Sequence, residues 1–265
     1  MTRTTVSTLR TMKDRRERFA VVTAYDASFA RVLEEAGVDV LLVGDSLGNV
    51  VQGHATTLPV TLDDMVYHTA AVSRGAERAL VVADMPFMSD ATPEQALHSA
   101  ARLMGEGGAQ MVKVEGGAVM LPTIERLSGR GIPVCGHLGL LPQSVHKAGG
   151  YRVHGRDAHV AEAMLEDAEA IETAGADLLV LECVPQALAA EITANLTIPV
   201  IGIGAGPRCD AQVLVLYDLL GLTPGKRPAF TKDFLAGTGS VAAAVQAYVR
   251  AVKDGDFPGP EHTFD

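Results

Sequence analysis

Several short apolar runs in this 265-residue sequence end at an acidic residue. Each run has the length and the Val and Leu content of a buried parallel strand. The carboxyl ends of such strands are where barrel enzymes place their chemistry, and carboxylates gathered there need a cation, a transferable proton, or both. The runs are residues 41–44 before Asp45, 79–83 before Asp84, 111–114 before Glu115 and 178–181 before Glu182.

Strand-like and helix-like segments alternate along the whole chain, which predicts an α/β fold. We expect one helix to begin at Thr61, with Asp64 three residues on. We expect another to begin at Thr92, where Pro93 takes the first helical position and the Gln95 side chain returns a hydrogen bond to the cap. We predict helices over 26–36, 62–75, 118–129, 157–174, 186–195 and 238–253. We predict strands over 19–23, 39–43, 79–84, 111–115, 133–138, 178–182, 199–203 and 212–217.

Eight strands alternating with helices favour a (β/α)8 TIM barrel, with an open doubly wound sheet as the competing fold. The number of strands and the spread of polar residues over many strand ends favour the barrel. We expect residues 1–265 to form a single barrel domain with a short N-terminal helix and an irregular C-terminal extension.

Composition narrows the class of protein. A formal net charge of −10 disfavours binding to nucleic acid phosphates. The N-terminus lacks the apolar core of a signal peptide, and no apolar run approaches the ~20 residues that span a bilayer. Three widely spaced cysteines, Cys135, Cys183 and Cys209, fit neither a disulfide framework nor a zinc site. We expect buried, reduced thiols in a cytoplasmic protein.

Side chains alternate across a strand, and neighbouring strands lie ~4.8 Å apart. By this alternation Asp45, Asp84 and Glu115 are expected to point into the barrel mouth from strands two, three and four, close enough to surround one ion. Oxygen ligands suit Mg²⁺, whereas zinc would need a His or Cys cluster. The alternative is that each acid caps the helix that follows its strand.

Other polar residues at the strand ends leave more than one interpretation. Lys113 could form a structural ion pair, bind a substrate carboxylate or enolate, or form a Schiff base. His137 could bind substrate oxygens or be a core histidine. Ser46 could donate to a bound carboxylate or act as a cap or turn residue. The glycines of residues 202–206 could cradle a phosphate, but a tight turn is favoured.

A collinear series of motifs runs over nearly the whole sequence and resembles the ketopantoate hydroxymethyltransferase family. The motifs are Thr23-Ala24-Tyr25-Asp26, Val43-Gly44-Asp45-Ser46-Leu47-Gly48, Gln52-Gly53-His54, Thr57-Leu58-Pro59-Val60-Thr61, Tyr67-His68-Thr69, Ala83-Asp84-Met85-Pro86-Phe87, Val112-Lys113-Val114-Glu115-Gly116-Gly117, Gly136-His137-Leu138-Gly139, Pro142-Gln143-Ser144, Leu181-Glu182-Cys183-Val184-Pro185 and Ile201-Gly202-Ile203-Gly204-Ala205-Gly206.

This resemblance implies transfer of a one-carbon unit from 5,10-methylenetetrahydrofolate to 3-methyl-2-oxobutanoate in pantothenate synthesis, through a magnesium-stabilised enolate. It implies a homo-oligomer, often a decamer. By the family's pattern Glu182 is the proton acceptor. The pattern also places Asp45, Asp84 and Glu115 at Mg²⁺, and Ser46, Lys113 and His137, with the two aspartates, at the keto acid.

The sequence departs from the family's pattern at two places outside this set. Leu141 stands where Thr is expected, and Ala229 stands where Lys is common. Two rival functions remain: a magnesium-dependent lyase or aldolase acting on 2-keto acids, and a non-catalytic metabolite-binding barrel. The residues do not locate the folate site.

Overall fold

The computed structural model describes residues 3–150, 152–223, 225 and 227–265. Its centre is a sheet of short, buried strands. Their bounds are β1 Phe19–Thr23, β2 Val40–Val43, β3 Leu80–Asp84, β4 Met111–Lys113, β5 Val134–Gly139, β6 Leu178–Glu182, β7 Val200–Ile203 and β8 Ala211–Leu214.

These strands form a closed, parallel barrel in chain order. The barrel closes between β1 and β8, where Val21 lies opposite Val213. Parallel strands buried on both faces require apolar residues at nearly every position, which explains the continuous Val- and Leu-rich runs. The predicted (β/α)8 fold is confirmed, and the open doubly wound sheet is excluded.

Most of the helices cover the outside of the barrel, and most begin at residue types that cap helices. Thr61 caps α4, as predicted, and forms a reciprocal capping box with Asp64. Thr92 accepts a hydrogen bond from the backbone N–H of Gln95, also as predicted. The helices are α1 Val6–Asp14, α2 Ala27–Glu35, α3 Leu47–Val50, α4 Leu62–Gly75, α5 Pro93–Gly105, α6 Leu121–Ser128, α7 Val145–Ala148, α8 Ala158–Thr173, α9 Gln186–Asn195, α10 Leu216–Leu219 and α11 Val241–Asp254.

Helix α1 closes the amino-terminal end of the barrel. Leu9 is fully buried there. The Lys13 ammonium lies 2.7 Å from Asp210 Oδ2 and 2.9 Å from the carbonyl oxygen of Thr193. Asp210 directly precedes β8, so this contact fixes α1 at the end of the barrel where the strands begin. The carboxyl end is therefore the end available for a site.

Helix α11 secures the seam where the barrel closes. Tyr248 is fully buried, and its hydroxyl lies 3.0 Å from the carbonyl oxygen of Val21 and 2.8 Å from that of Gln212. These carbonyls belong to β1 and β8. A buried hydroxyl with such partners avoids the cost of an unsatisfied polar group and ties the last helix to the seam.

Several predicted details are wrong at element ends. β4 stops at Lys113 and not at Glu115. β8 covers Ala211–Leu214 because the chain enters α10 at Leu216, whose N–H donates to Thr23 Oγ1. Residues 204–210, all described, join β7 to β8 without a helix. The Gln95 side chain does not return to the Thr92 cap, because its amide donates to the carbonyl oxygen of Met88 at 2.8 Å.

All three cysteines are free and buried, as expected. Burial raises the pKa of each thiol to about 12, which keeps it protonated and unreactive. Within the part of the chain that the structure describes, no helix combines the length and apolarity needed to cross a bilayer.

Candidate active site

A cavity of about 360 Å³ opens at the carboxyl end of the barrel. This volume falls in the usual range of ~300–1,000 Å³ for small-molecule sites. Every site residue predicted from the sequence lines it. They are Asp45, Ser46, Asp84, Lys113, Glu115, His137 and Glu182.

Strand alternation correctly places four of these side chains. Asp84, Lys113, His137 and Glu182 are in their strands and line the cavity. The residues two positions earlier on β3, β5 and β6 also point inward, as alternation requires. These residues, Val82, Cys135 and Val180, line a smaller cavity deeper in the barrel.

The same argument is wrong for Asp45, although the residue is where it was expected. In β2 the inward positions are Val40 and Leu42, so the alternation would turn residue 45 toward the helices. The strand ends at Val43, and the turn that follows brings Asp45 back to the cavity. Gly44 makes room for this turn, because a Cβ there would lie 2.7 Å from Ser46 Oγ.

The two aspartates are joined by a hydrogen bond. The backbone N–H of Asp45 donates to Asp84 Oδ2 at 3.0 Å. Burial, together with the charges of Asp84 and Glu115, raises the pKa of Asp45 well above its usual range. Burial also raises the pKa of Asp84, although Lys113 opposes that shift. The pair is therefore short of positive charge.

Lys113 supplies part of that charge. Its side chain is 4% exposed, and its ammonium lies 3.1 Å from Asp84 Oδ1 and 3.8 Å from Glu115 Oε1. Burial alone would lower the pKa of Lys113, but the carboxylates, including Asp45, outweigh it and raise the pKa. The lysine remains protonated and is a poor nucleophile, which disfavours the Schiff-base alternative.

His137 lies between two glutamates. Its Nδ1 is 3.4 Å from Glu115 Oε1, and its Nε2 is 3.3 Å from Glu182 Oε2. Burial and the Lys113 charge lower the pKa of His137, but contacts with both glutamates outweigh them, so the pKa is raised. Burial raises the pKa of Glu115, yet His137 and Lys113 reverse this shift and the net pKa is lowered. His137 thus links the Lys113 side of the cavity to Glu182.

Ser46 is held in the cavity by a residue that sequence analysis did not assign to the site. The hydroxyls of Ser46 and Tyr25 are 2.9 Å apart. The Tyr25 carbonyl in turn contacts His68 Nδ1 at 2.7 Å. Ser46 makes no capping hydrogen bond to α3, so the cap interpretation fails. Tyr25 stands in one of the family-like motifs, which was the only signal for it.

Gln143 is a second residue that sequence analysis missed. Its side-chain amide donates to Asp45 Oδ2 at 3.0 Å and to the carbonyl oxygen of Met85 at 2.9 Å. Its backbone N–H donates to Glu115 Oε2 at 3.1 Å. Gln143 therefore orients carboxylates that follow two different strands. It comes from the loop after β5, and strand periodicity gives no information about such a loop.

The structure also decides between other interpretations. The helices that follow β2, β3 and β6 are α3, α5 and α9, and the residues at their cap positions are Ser46, Thr92 and Pro185, so the acids at the ends of these strands are not helix caps. Gly204 has a φ of +60°, and a Cβ there would lie 2.9 Å from the Phe230 ring. The glycines after β7 therefore serve tight packing, as favoured from the sequence.

The carboxylate oxygens of the cavity suit a hard cation only if other ligands complete its coordination shell. Among the described residues no group of three or more His, Cys, Asp and Glu side chains is arranged to hold a metal ion. However, Asp84 Oδ1 is buried and makes no well-aligned hydrogen bond, although Lys113 is 3.1 Å away. Mg²⁺ commonly binds through one or two carboxylates and takes its other oxygens from water and substrate. The residues fit that arrangement.

A closed (β/α)8 barrel with a buried lysine, a histidine and carboxylates at its carboxyl mouth defines an enzyme equipped for proton transfer next to developing negative charge. The model of a family described as ketopantoate hydroxymethyltransferase matches residues 3–260. The chain belongs to this family and is a hydroxymethyltransferase.

Relatives agree with this assignment, and a solved structure agrees with the fold. A 3-methyl-2-oxobutanoate hydroxymethyltransferase of Nitrosospira multiformis is 60% identical, over 99% of this chain and 100% of its own. One from Halorhodospira halophila is 62% identical, over 98% of this chain and 94% of its own. Phosphoenolpyruvate phosphomutase from Streptomyces platensis superposes with a TM-score of 0.61 over 96% of this chain and 92% of its own. At 17% identity that likeness shows the fold alone.

Proposed function

We propose that this protein transfers a hydroxymethyl group from 5,10-methylenetetrahydrofolate to 3-methyl-2-oxobutanoate, giving 2-dehydropantoate (ketopantoate) in pantothenate biosynthesis. The observation that carries the proposal is the continuous row of Asp84, Lys113, Glu115, His137 and Glu182, with neighbouring atoms 3.1–3.8 Å apart. At one end of the row the charge of Lys113 lies next to carboxylates. At the other end the Glu182 carboxylate is available as a base. The names of the relatives support this choice of substrate.

Asp45, Asp84 and Glu115 are the residues that we propose for a Mg²⁺ site, with water and substrate oxygens completing it. When bound, Mg²⁺ would act as a Lewis acid toward the ketone of the keto acid and favour its enolate. The raised pKa values of Asp45 and Asp84 support this assignment, because carboxylates crowded in a buried site gain from a nearby cation.

Lys113, Ser46 and His137 are proposed to bind and orient the keto acid, together with the two aspartates. Lys113 places positive charge where the enolate develops negative charge. The Ser46 hydroxyl, positioned by Tyr25, can donate to a substrate carboxylate. His137 lies between Glu115 and Glu182, and its buried Nε2 makes no well-aligned hydrogen bond, so this atom can donate to a substrate oxygen.

Glu182 is proposed as the general base. Its side chain is 15% exposed and lies on the other side of His137 from Lys113, so a base there would not compete for the cation. Glu182 would accept the proton from C3, and the enolate carbon would then form the new bond to the methylene carbon of the folate. Overall, water supplies the hydroxyl group and tetrahydrofolate leaves.

Three broader proposals accompany this function. Residues 1–265 would act as one barrel domain. The protein would assemble as a homo-oligomer, a decamer by family resemblance, and the exposed side chains of Tyr67 and Val119, at 70% and 80%, are candidates for buried contacts between copies. It would work in the cytoplasm, which the three free cysteines support.

The test is direct. The purified protein is incubated with 3-methyl-2-oxobutanoate, methylenetetrahydrofolate and Mg²⁺, and ketopantoate is measured by mass spectrometry. We expect ketopantoate only when all three are present. Cleavage or condensation of keto acids without folate would favour the lyase or aldolase instead, and binding without turnover would favour a non-catalytic barrel.

A further inference from the structure

One wall of the cavity carries none of the residues proposed for the metal, the keto acid or the base. Those residues stand at the ends of β2 to β6. The wall formed by β7, β8 and the segment after β8 is largely apolar, and its main polar group is Asp218 with its neighbour Thr223. The apolar side chains of this wall are Ile203, Val213, Val215 and Phe230.

Asp218 is a buried carboxyl with few partners. It is 7% exposed, and Thr223 Oγ1 donates to its Oδ1 at 2.5 Å. In the described chain Asp218 belongs to no ion pair, since nearby Arg227 pairs with Asp233 at 3.2 Å. Burial raises the pKa of Asp218, although the Thr223 hydroxyl and the more distant Arg227 oppose that shift.

These contacts specify the chemistry of a ligand. A carboxylate can accept about four hydrogen bonds, and a buried one that accepts few is costly. A flat, mostly apolar ring with two neighbouring N–H donors on one edge would satisfy it, in the way that a guanidinium binds a carboxylate. The keto acid is not such a ligand, because it carries a negative charge and has no N–H group.

We propose that Asp218 binds the pterin ring of the folate co-substrate, accepting hydrogen bonds from N3–H and the 2-amino group while the ring lies against the apolar wall. This inference rests on the proposed function, which supplies the folate. It places the folate on the β7–β8 side of the cavity and the keto acid on the β2–β6 side, so the two substrates would meet in one continuous space.

The test measures binding of tetrahydrofolate by calorimetry, without metal or keto acid. Asp218→Asn keeps the shape but replaces one acceptor with a donor that opposes the pterin edge. We expect binding about 10- to 100-fold weaker than in the wild type, the usual effect of losing a hydrogen bond to a charged group. The matched control is Asp233→Asn, which alters a nearby aspartate that does not line the cavity. It should bind like the wild type.

A second arm changes the ligand. A tetrahydrofolate analogue without the 2-amino group should bind the wild type more weakly by a similar factor, and Asp218→Asn should lose little more. If tetrahydrofolate binds the wild type and Asp218→Asn equally, or if the wild type does not distinguish the analogue, the pterin assignment is overturned and the proposed function stands. If the wild type does not bind tetrahydrofolate at all, both are overturned.

Discussion

Replacing Lys113 with Met tests whether this lysine balances the buried carboxylates. At an effective dielectric constant of about 20, its 3.1 Å contact with Asp84 is a Coulomb attraction of roughly 5 kcal/mol. The 3.8 Å contact with Glu115 adds about 4 kcal/mol. Desolvation of the buried charges offsets much of this attraction. Removing one partner of such a buried pair costs about 3–5 kcal/mol, which is the loss of unfolding free energy that we expect at pH 8.

The loss of unfolding free energy in Lys113→Met should depend on pH and on Mg²⁺. Asp45 and Asp84 have raised pKa values and can take up protons once Lys113 is gone, so the loss should be smaller at pH 5.5 than at pH 8. A dication that binds the same carboxylates would replace the missing charge. If Lys113→Met binds Mg²⁺ about tenfold more tightly than the wild type does, saturating Mg²⁺ would stabilise the variant by roughly 1.4 kcal/mol more than it stabilises the wild type.

The assay is urea unfolding at both pH values, with and without Mg²⁺. Lys13→Met is the matched control, because it removes a lysine from an ion pair at the opposite end of the barrel and should leave the Mg²⁺ response unchanged. A loss below about 1 kcal/mol at pH 8, or equal stabilisation by Mg²⁺ in Lys113→Met and the wild type, would refute the reasoning.

Three further predictions concern the metal site, the lysine and the scaffold. Asp45→Ala and Asp84→Ala should abolish Mg²⁺ binding in calorimetric titrations with keto acid present, and wild-type affinity in either folded variant would remove that residue from the site. Borohydride treatment with keto acid should leave Lys113 unmodified in mass spectra, because its charge is held by carboxylates; an adduct would favour the aldolase chemistry. Backbone hydrogen bonds to Glu34 outweigh the effect of burial and hold its pKa below the ordinary value of 4.5. Its stabilisation is therefore complete above pH 4.5 and is lost as the pH falls through the folded pKa. Glu34→Gln should cost about 1–3 kcal/mol at pH 7 in urea unfolding, and a difference that does not shrink in acid would contradict this account.

The strands and the polar residues within them could be predicted from the sequence because apolar runs and side-chain alternation report directly on burial. Asp84, Lys113, His137 and Glu182 all follow that rule. Asp45 shows its limit, since the alternation ends with β2 and a glycine turn decides where the side chain points. The predicted end of β8 was wrong because local periodicity cannot show that Leu216 begins a helix.

The residues that orient the site were not predicted because their roles depend on contacts between distant segments. Gln143 reaches Asp45 across 98 positions of the chain. Tyr25 contacts Ser46 from the end of a different strand. Asp218 also follows an apolar run, as the other acids do, but it lies within the short helix α10 and not at the end of a strand.

The most direct test of the central claim, that this cavity removes the C3 proton of the keto acid with Glu182, is deuterium exchange at C3 of 3-methyl-2-oxobutanoate in D₂O. The measurement is made by NMR with Mg²⁺ present and folate absent. We predict exchange in the wild type and a rate about 10²- to 10⁴-fold lower in Glu182→Gln, with the fold and the binding of Mg²⁺ and keto acid retained. Exchange at the wild-type rate in Glu182→Gln would contradict the account and would place another group as the base.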